Sequence, residues 1–277
     1  MVPKRVQDRL VRSLAKFQQV IKIAKDRDVN ESDTVSIIRD TLAEVFGYDK
    51  HLDITSEFAV RGTYCDLAIK NDGKVEYLIE AKAIGLDLKD SHLRQAIEYG
   101  ANKGVQWVIL TNADSWQVYK IRFEQPIAYD LVCAFNFLDL NPKNDEHLEM
   151  LFVVCKEGLA KDAREEFHEK TQTVNRFVLG ALILTDDVVS VIRRELRKLS
   201  DGVLISPEEI CKVLRDEVLK RDVLEGDEAA KASTRIRKFY GKLARRARST
   251  SDDKKDSGID TLSIGEACSS EMQASED

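Results

Sequence analysis

Residues 64–99 carry the side chains best suited to chemistry. Asp66 sits in an apolar run, Tyr64-Cys-Asp-Leu-Ala-Ile-Lys70, and Glu80-Ala-Lys82 closes the next one. Between them lies Asn71-Asp72-Gly73, the residue types of a tight hairpin turn. Side chains alternate along a strand. Tyr64, Asp66 and Ala68 therefore share one face, and Leu78, Glu80 and Lys82 share one face of the partner strand. Neighbouring strands lie about 4.8 Å apart, so one divalent cation could bridge Asp66 and Glu80. Phosphodiester cleavage asks for such a centre: charge on the phosphate, an oriented water and a sink for its proton. Mg²⁺ prefers oxygen ligands, which two carboxylates supply. Lys82 could orient or deprotonate the water, or neutralise the developing phosphorane. The base role needs a lowered lysine pKa. Ile79 and Ala81 flank Glu80, and a buried carboxylate must be paired or metal-bound to be tolerated.

Two helices are placed to contribute. Asn30-Glu-Ser-Asp-Thr34 is a helix-start cluster. The helix that follows runs to about Phe46, with Val35, Ile38, Leu42 and Val45 as its apolar stripe. Glu44 lies on the edge of that stripe, either as a boundary residue or as a carboxylate aimed into a cleft. A second helix, 88–103, carries Leu88, His92, Gln95 and Tyr99 on one face. Gln95 and Tyr99 could present an amide and a phenol to the same cleft. The bare spacing, acid–x₁₃–acid–x–Lys, also fits a surface strand with a Glu/Lys pair. The apolar flanks of Glu80, the hairpin and the following helix favour the catalytic reading.

The remaining elements frame these residues. Val6, Leu10, Leu14, Phe17 and Ile21 predict an amphipathic helix over 4–28 with a basic outer face. Strands are expected at 52–60, 64–70, 75–83, 105–111, 116–121 and 135–138, with Arg61-Gly62-Thr63 as a turn. A helix at 144–158 closes the domain. From 160 on, only helical periodicity remains, at about 160–175, 176–199, 206–222 and 227–248. The third of these opens on a capping box, Ser206-Pro-Glu-Glu209. The last ends on Arg235–Arg248, with seven bases, no acid, and Phe239 and Tyr240 interleaved. Its partner could be nucleic acid, the chain's own acidic tail, or water. The expected domains are 1–158, 159–250 and a disordered acidic tail, 251–277.

The chain has 277 residues, 43% of them hydrophobic and 33% charged, which fits a soluble globular protein. Its net charge of −6 argues against nucleic acid only at first sight. Residues 251–277 hold eight acids and two lysines, so the other 250 residues are neutral overall. No leader or membrane span is expected: the longest apolar run, Phe177–Leu184, is eight residues. Five cysteines without a C-x-x-C pair speak against zinc ribbons and disulfides and for a reduced, cytoplasmic setting.

Asp66, Glu80-Ala-Lys82, Gln95-Ala-Ile-Glu-Tyr99, and Trp107-Val-Ile-Leu-Thr-Asn112 followed by Trp116-Gln-Val-Tyr119 together resemble the PD-(D/E)xK nuclease superfamily. Within it, the segment 30–125 is most similar to the N-terminal nuclease domain of type I restriction-enzyme R subunits. The resemblance implies an α/β (α+β) restriction-endonuclease-like fold, a mixed β-sheet flanked by helices, followed here by an all-helical region. It implies Mg²⁺-dependent DNA hydrolysis, with Mn²⁺ able to substitute, in restriction-modification or DNA processing. Asp66 and Glu80 would be metal ligands and Lys82 the catalytic lysine. Glu44 would be the first-helix acid and a third ligand, and Gln95 and Tyr99 the motif after the lysine. Cys65 replaces the superfamily's proline before the first acid. No G-x-x-x-x-G-K-[ST] is present, so no ATP-driven motor is expected. DNA is the expected partner, a homodimer is left open, and no membrane partner is expected. The alternative is a catalytically silent nuclease fold that binds DNA or protein. A helical oligomerisation scaffold over 160–248 is a weaker third reading.

Overall fold

The computed structural model describes residues 2–60, 63–200 and 203–252. The expected turn at Arg61-Gly62 and almost all of the acidic tail lie outside them. The chain divides into two compact units, 1–171 and 172–277.

The first unit is built on a six-stranded sheet in sequential order, β1 to β6. The strands are β1 (Ile54–Val60), β2 (Thr63–Asn71), β3 (Lys74–Ala81), β4 (Trp107–Thr111), β5 (Ser115–Arg122) and β6 (Ala128–Asn136). All neighbours are antiparallel except β3 and β4. That parallel pair needs a crossover, and helix α3 (Asp90–Lys103) supplies it. The β2–β3 loop is two residues long, with Asp72 and Gly73 at φ +48° and +79°. Two positive φ values make the type I′ turn that Asp-Gly favours.

Helix α1 (Lys4–Asp26) buries the stripe predicted for it, whereas α2 (Glu31–Glu44) buries Ile38 and Leu42 of its stripe together with Thr34 and Thr41, leaves Val35 half-buried, and ends just before buried Val45. Asn30 caps α2 by accepting from the Asp33 N–H at 3.0 Å. The stripes join Leu67, Ile69, Ile79, Ile109 and Trp116 in one core on one sheet face. Trp116 stacks on Phe135 and meets Phe46 edge-on, with centroids 6.2 and 5.4 Å away. Arg9 fastens α1 to this layer. It grips Glu157 with both terminal nitrogens, at 2.6 and 2.7 Å, and donates to the Val45 carbonyl. On the other face, Leu93, Ala96 and Ile97 of α3 close over Ala68, Leu78, Val108 and Leu110.

Several boundaries differ from those expected. The last strand starts at Ala128, not 135, and Phe137–Asp139 is a 3₁₀ turn. Its alternation was hidden because Tyr129 and Leu131 point an exposed apolar face outward. The helix expected at 144–158 breaks at Cys155, which is extended at φ −66°, ψ 147°. It becomes α4 (Asp145–Val154) and α5 (Lys156–Ala160). Helix α6 (Ala163–Thr173) follows.

In the second unit, the helix expected at 176–199 is two, α7 (Arg176–Ile183) and α8 (Asp186–Leu199). Asp186 and Asp187 open the second of these, where carboxylates favour a helix N-terminus. Helix α9 (Pro207–Val213) has the predicted capping box between Ser206 and Glu209. It runs into a π turn at Leu214–Val218 rather than continuing to 222. A short α10 (Arg221–Leu224) leads to α11 (Asp227–Asp252). Val189, Ile210, Cys211 and Leu214 form a small core. Among the described residues, no helix is long and apolar enough to cross a membrane.

Candidate active site

The hairpin register brings the acids together. Leu67 faces Ile79 and Ala68 faces Leu78 across β2 and β3, so the next pair along the ladder is Asp66 and Glu80. Directly opposed residues of antiparallel strands project on one side of the sheet. Ala68 and Leu78, two positions on, lie under α3, which fixes the side as the α3 face. Glu80 also lies beside Leu110 on the parallel neighbour β4. It is therefore on an interior strand and retains only 2% of its exposure.

The electrostatics of this pair follow from burial. Burial is the largest influence on Glu80 and pushes its carboxyl up to about 7; the Asp66 charge adds to this, while Lys82 opposes it. Oε1 of Glu80 accepts from Lys82 Nζ at 2.5 Å. Its Oε2 is buried with no hydrogen-bond partner, an arrangement that native structures rarely leave without a reason. Asp66 is also raised by burial, although its Oδ2 accepts from the Ala81 N–H at 2.8 Å and it feels the Lys82 charge.

Lys82 lies just past the end of β3, with its own N–H bonded to the Thr111 carbonyl at 2.9 Å. Its side chain is 12% exposed. Burial alone would lower its pKa, but the hydrogen bond and charge of Glu80, with Glu31 and Asp66, outweigh that and hold it above the ordinary lysine value. An ammonium held charged suits stabilisation of anionic charge. Proton abstraction, the other role open to it in the sequence, needs the opposite shift.

The first-helix acid beside this group is Glu31, not Glu44. Glu31 Oε2 stands 3.9 Å from Lys82 Nζ. At the same end of α2, the Thr34 hydroxyl accepts from the Ile84 N–H at 3.1 Å, tying the helix to the chain just after β3. Glu44 is thirteen residues further along, about 20 Å at the helical rise, and pairs with Lys16 instead. Helical periodicity identified the face of α2 but not the end that meets the sheet. Glu31 was readable only as a first-turn acid.

Gln95 and Tyr99 do lie together. The Gln95 amide donates to the Tyr99 hydroxyl at 2.8 Å. Both are half-buried on α3, the helix that covers the carboxylate face, and this bond joins them to each other rather than to Asp66 or Glu80. Half-buried His92, at the start of α3, has its pKa lowered by burial and next by the Lys82 charge. His92 is thus a third polar group of this helix, and it is close enough to Lys82 to feel its charge.

The donor set fits a hard divalent cation. Two carboxylates on adjacent strands, one with an orphaned buried oxygen, match the oxygen ligation of Mg²⁺, which commonly uses one or two protein carboxylates and fills the rest with water. Among the described residues, no three His, Cys, Asp or Glu side chains gather into a metal-binding group.

A mixed sheet with an acid on one strand, acid-x-Lys on the next and a crossover helix carrying Gln-x-x-x-Tyr is an arrangement similar to that of PD-(D/E)xK nuclease domains. Residues 36–133 match the family model described as the type I restriction enzyme R protein N terminus (HSDR_N). No curated protein and no solved structure matches the chain.

Proposed function

We propose that the first unit hydrolyses DNA phosphodiester bonds with Mg²⁺, for which Mn²⁺ can substitute. The observation that carries this reading is the buried Glu80 carboxylate, opposed to Asp66 and pinned to Lys82 with one oxygen left unpartnered. Such a group is unfavourable in the protein alone and becomes favourable once a cation is held. Asp66 and Glu80 would hold the ion, which when bound supplies Lewis-acid neutralisation of the phosphate and an acidified water.

The chain's own residues do the rest. Lys82, kept protonated, sets a positive charge beside the carboxylates, where negative charge grows on the phosphoryl oxygens. Glu31, half-exposed beside Lys82, is placed to orient the lysine or accept a proton through water. The Gln95–Tyr99 pair offers neutral donors from the covering helix. The Ala81 N–H holds the Asp66 carboxylate at a fixed angle, so ligand orientation is built into the strand.

The test is cleavage of plasmid and linear DNA by the purified protein with Mg²⁺ or Mn²⁺, beside Lys82→Ala and Asp66→Ala. Loss of cleavage in both variants, with their folds intact, is the expected result. Equal cleavage by all three, or none by any, removes the reading. One observation favours a rival, a silent nuclease fold used as a binding module: among the described residues, no third acidic, Cys or His side chain joins Asp66 and Glu80 in a metal-binding group. Under that reading Lys82→Ala retains DNA affinity and titration with Mg²⁺ gives no binding at the carboxylates.

A further inference from the structure

Helix α11 of the second unit carries a basic surface that the site does not use. The helix packs on α7, and buried Ala229 and Ala232 with half-buried Ile236 and Tyr240 mark its covered face. At 3.6 residues per turn, Lys231, Arg235, Lys238, Lys242 and Arg245 fall within an arc of about 80° on the side away from that packing. All five are exposed. Lys231 pairs with Glu228 at 2.7 Å, and Arg235 donates to the Gln172 carbonyl and the Thr173 hydroxyl. Among the described residues, no carboxylate pairs with Lys238, Lys242 or Arg245. There is no acid between residues 235 and 248 to provide one within the helix.

We infer that this stripe is a docking surface for the phosphate backbone of duplex DNA. Like charges three and four residues apart repel and weaken a helix. A run of them is a cost to the folded unit that a polyanion relieves. From Lys231 to Arg245 the stripe is about 21 Å long, and one DNA strand advances about 3.4 Å per nucleotide. The helix can therefore follow about six nucleotides. The side chains are long and cationic, and the contacts they make with phosphate oxygens are independent of sequence. DNA as the partner rests on the nuclease reading of the first unit, but binding through α11 is measured separately from cleavage.

The test uses the full chain in EDTA, titrated against a duplex of about 30 base pairs over a salt series, since each phosphate contact adds about 0.9 to the slope of log affinity against log salt. Replacing Lys238, Lys242 and Arg245 together by alanine should lower the slope by about 2.7 and weaken binding at least tenfold at about 0.1 M salt. The charge-retaining set Lys238→Arg, Lys242→Arg and Arg245→Lys should keep the wild-type slope. Removing three exposed charges elsewhere in the unit, at Lys212, Arg215 and Lys220, should also leave it unchanged.

A slope unchanged by the alanine set overturns the proposal, and is the outcome if these bases serve the chain's own acidic residues 253–277. Equal losses in the alanine and charge-retaining sets, or in the distant set, overturn it as well. A reduced slope with no cleavage by any form under Mg²⁺ keeps this surface and removes the nuclease reading. Cleavage with an unchanged slope does the reverse.

Discussion

Glu80→Gln should stabilise the metal-free protein at pH 8 and have little effect at pH 5. Burial and the Asp66 charge raise the Glu80 carboxyl from 4.5 to about 7 even with Lys82 bound to it. A raised carboxyl means that the folded state holds a proton that the unfolded chain has released. Stability conferred by the neutral form is therefore complete below pH 4.5 and is lost as pH rises through 7. The shift is about 2.5 pKa units, which at about 1.4 kcal/mol per unit makes the charged form about 3 kcal/mol less favourable above pH 7. Glutamine keeps the shape and an acceptor for Lys82 without the charge. Urea unfolding in EDTA should thus show Glu80→Gln more stable by about 2–3 kcal/mol at pH 8 and by less than about 1 kcal/mol at pH 5. Mg²⁺ should raise the stability of the wild type at pH 8 and leave the variant unchanged, because only the charged carboxylate gains from the ion. A wild type whose stability is flat from pH 5 to 8, with a variant less stable at both, would refute the reasoning. It would mean that the Lys82 pair outweighs the burial of the charge.

Two further outcomes follow from the geometry. Glu31→Gln should slow DNA cleavage by about tenfold or more, since it removes a charge beside Lys82, whereas Glu44→Gln should stay within about twofold; a single-turnover assay separates them. Arg164→Ala should destabilise the first unit by about 3 kcal/mol or more. Its guanidinium packs over Tyr77 and Trp107, with centroids 5.2 and 5.1 Å away, and pairs with Glu76. Denaturant melts of the variant measure this, and a change under about 1 kcal/mol would mean that the pair is solvated despite its 10% and 12% exposure.

The strand part of the site was readable because a period of two is rigid. Once Asp72-Gly73 fixed the turn, the faces of Asp66, Glu80 and Lys82 followed, and the register of β2 and β3 agrees. The helical part was less readable. A period of 3.6 assigns a face but not the height at which a helix crosses the sheet, so Glu44 and Glu31 could not be told apart without the tertiary packing of Thr34 on Ile84. Helix ends in the second unit failed for a related reason. Apolar periodicity continues across Thr185, and only the paired acids after it mark a new start. The first half of β6 is not legible in the sequence because its exposed positions include Tyr129 and Leu131, which are apolar, so a clean apolar/polar alternation is absent.

The central claim is that Asp66 and Glu80 form a cation site. A crystal soaked in Mn²⁺ and measured at the manganese edge tests it most directly. The expected map has one anomalous peak at about 2.0–2.3 Å from a carboxylate oxygen of each residue, with the remaining ligands water. A map without a peak there, with Glu80 still joined only to Lys82, would contradict it.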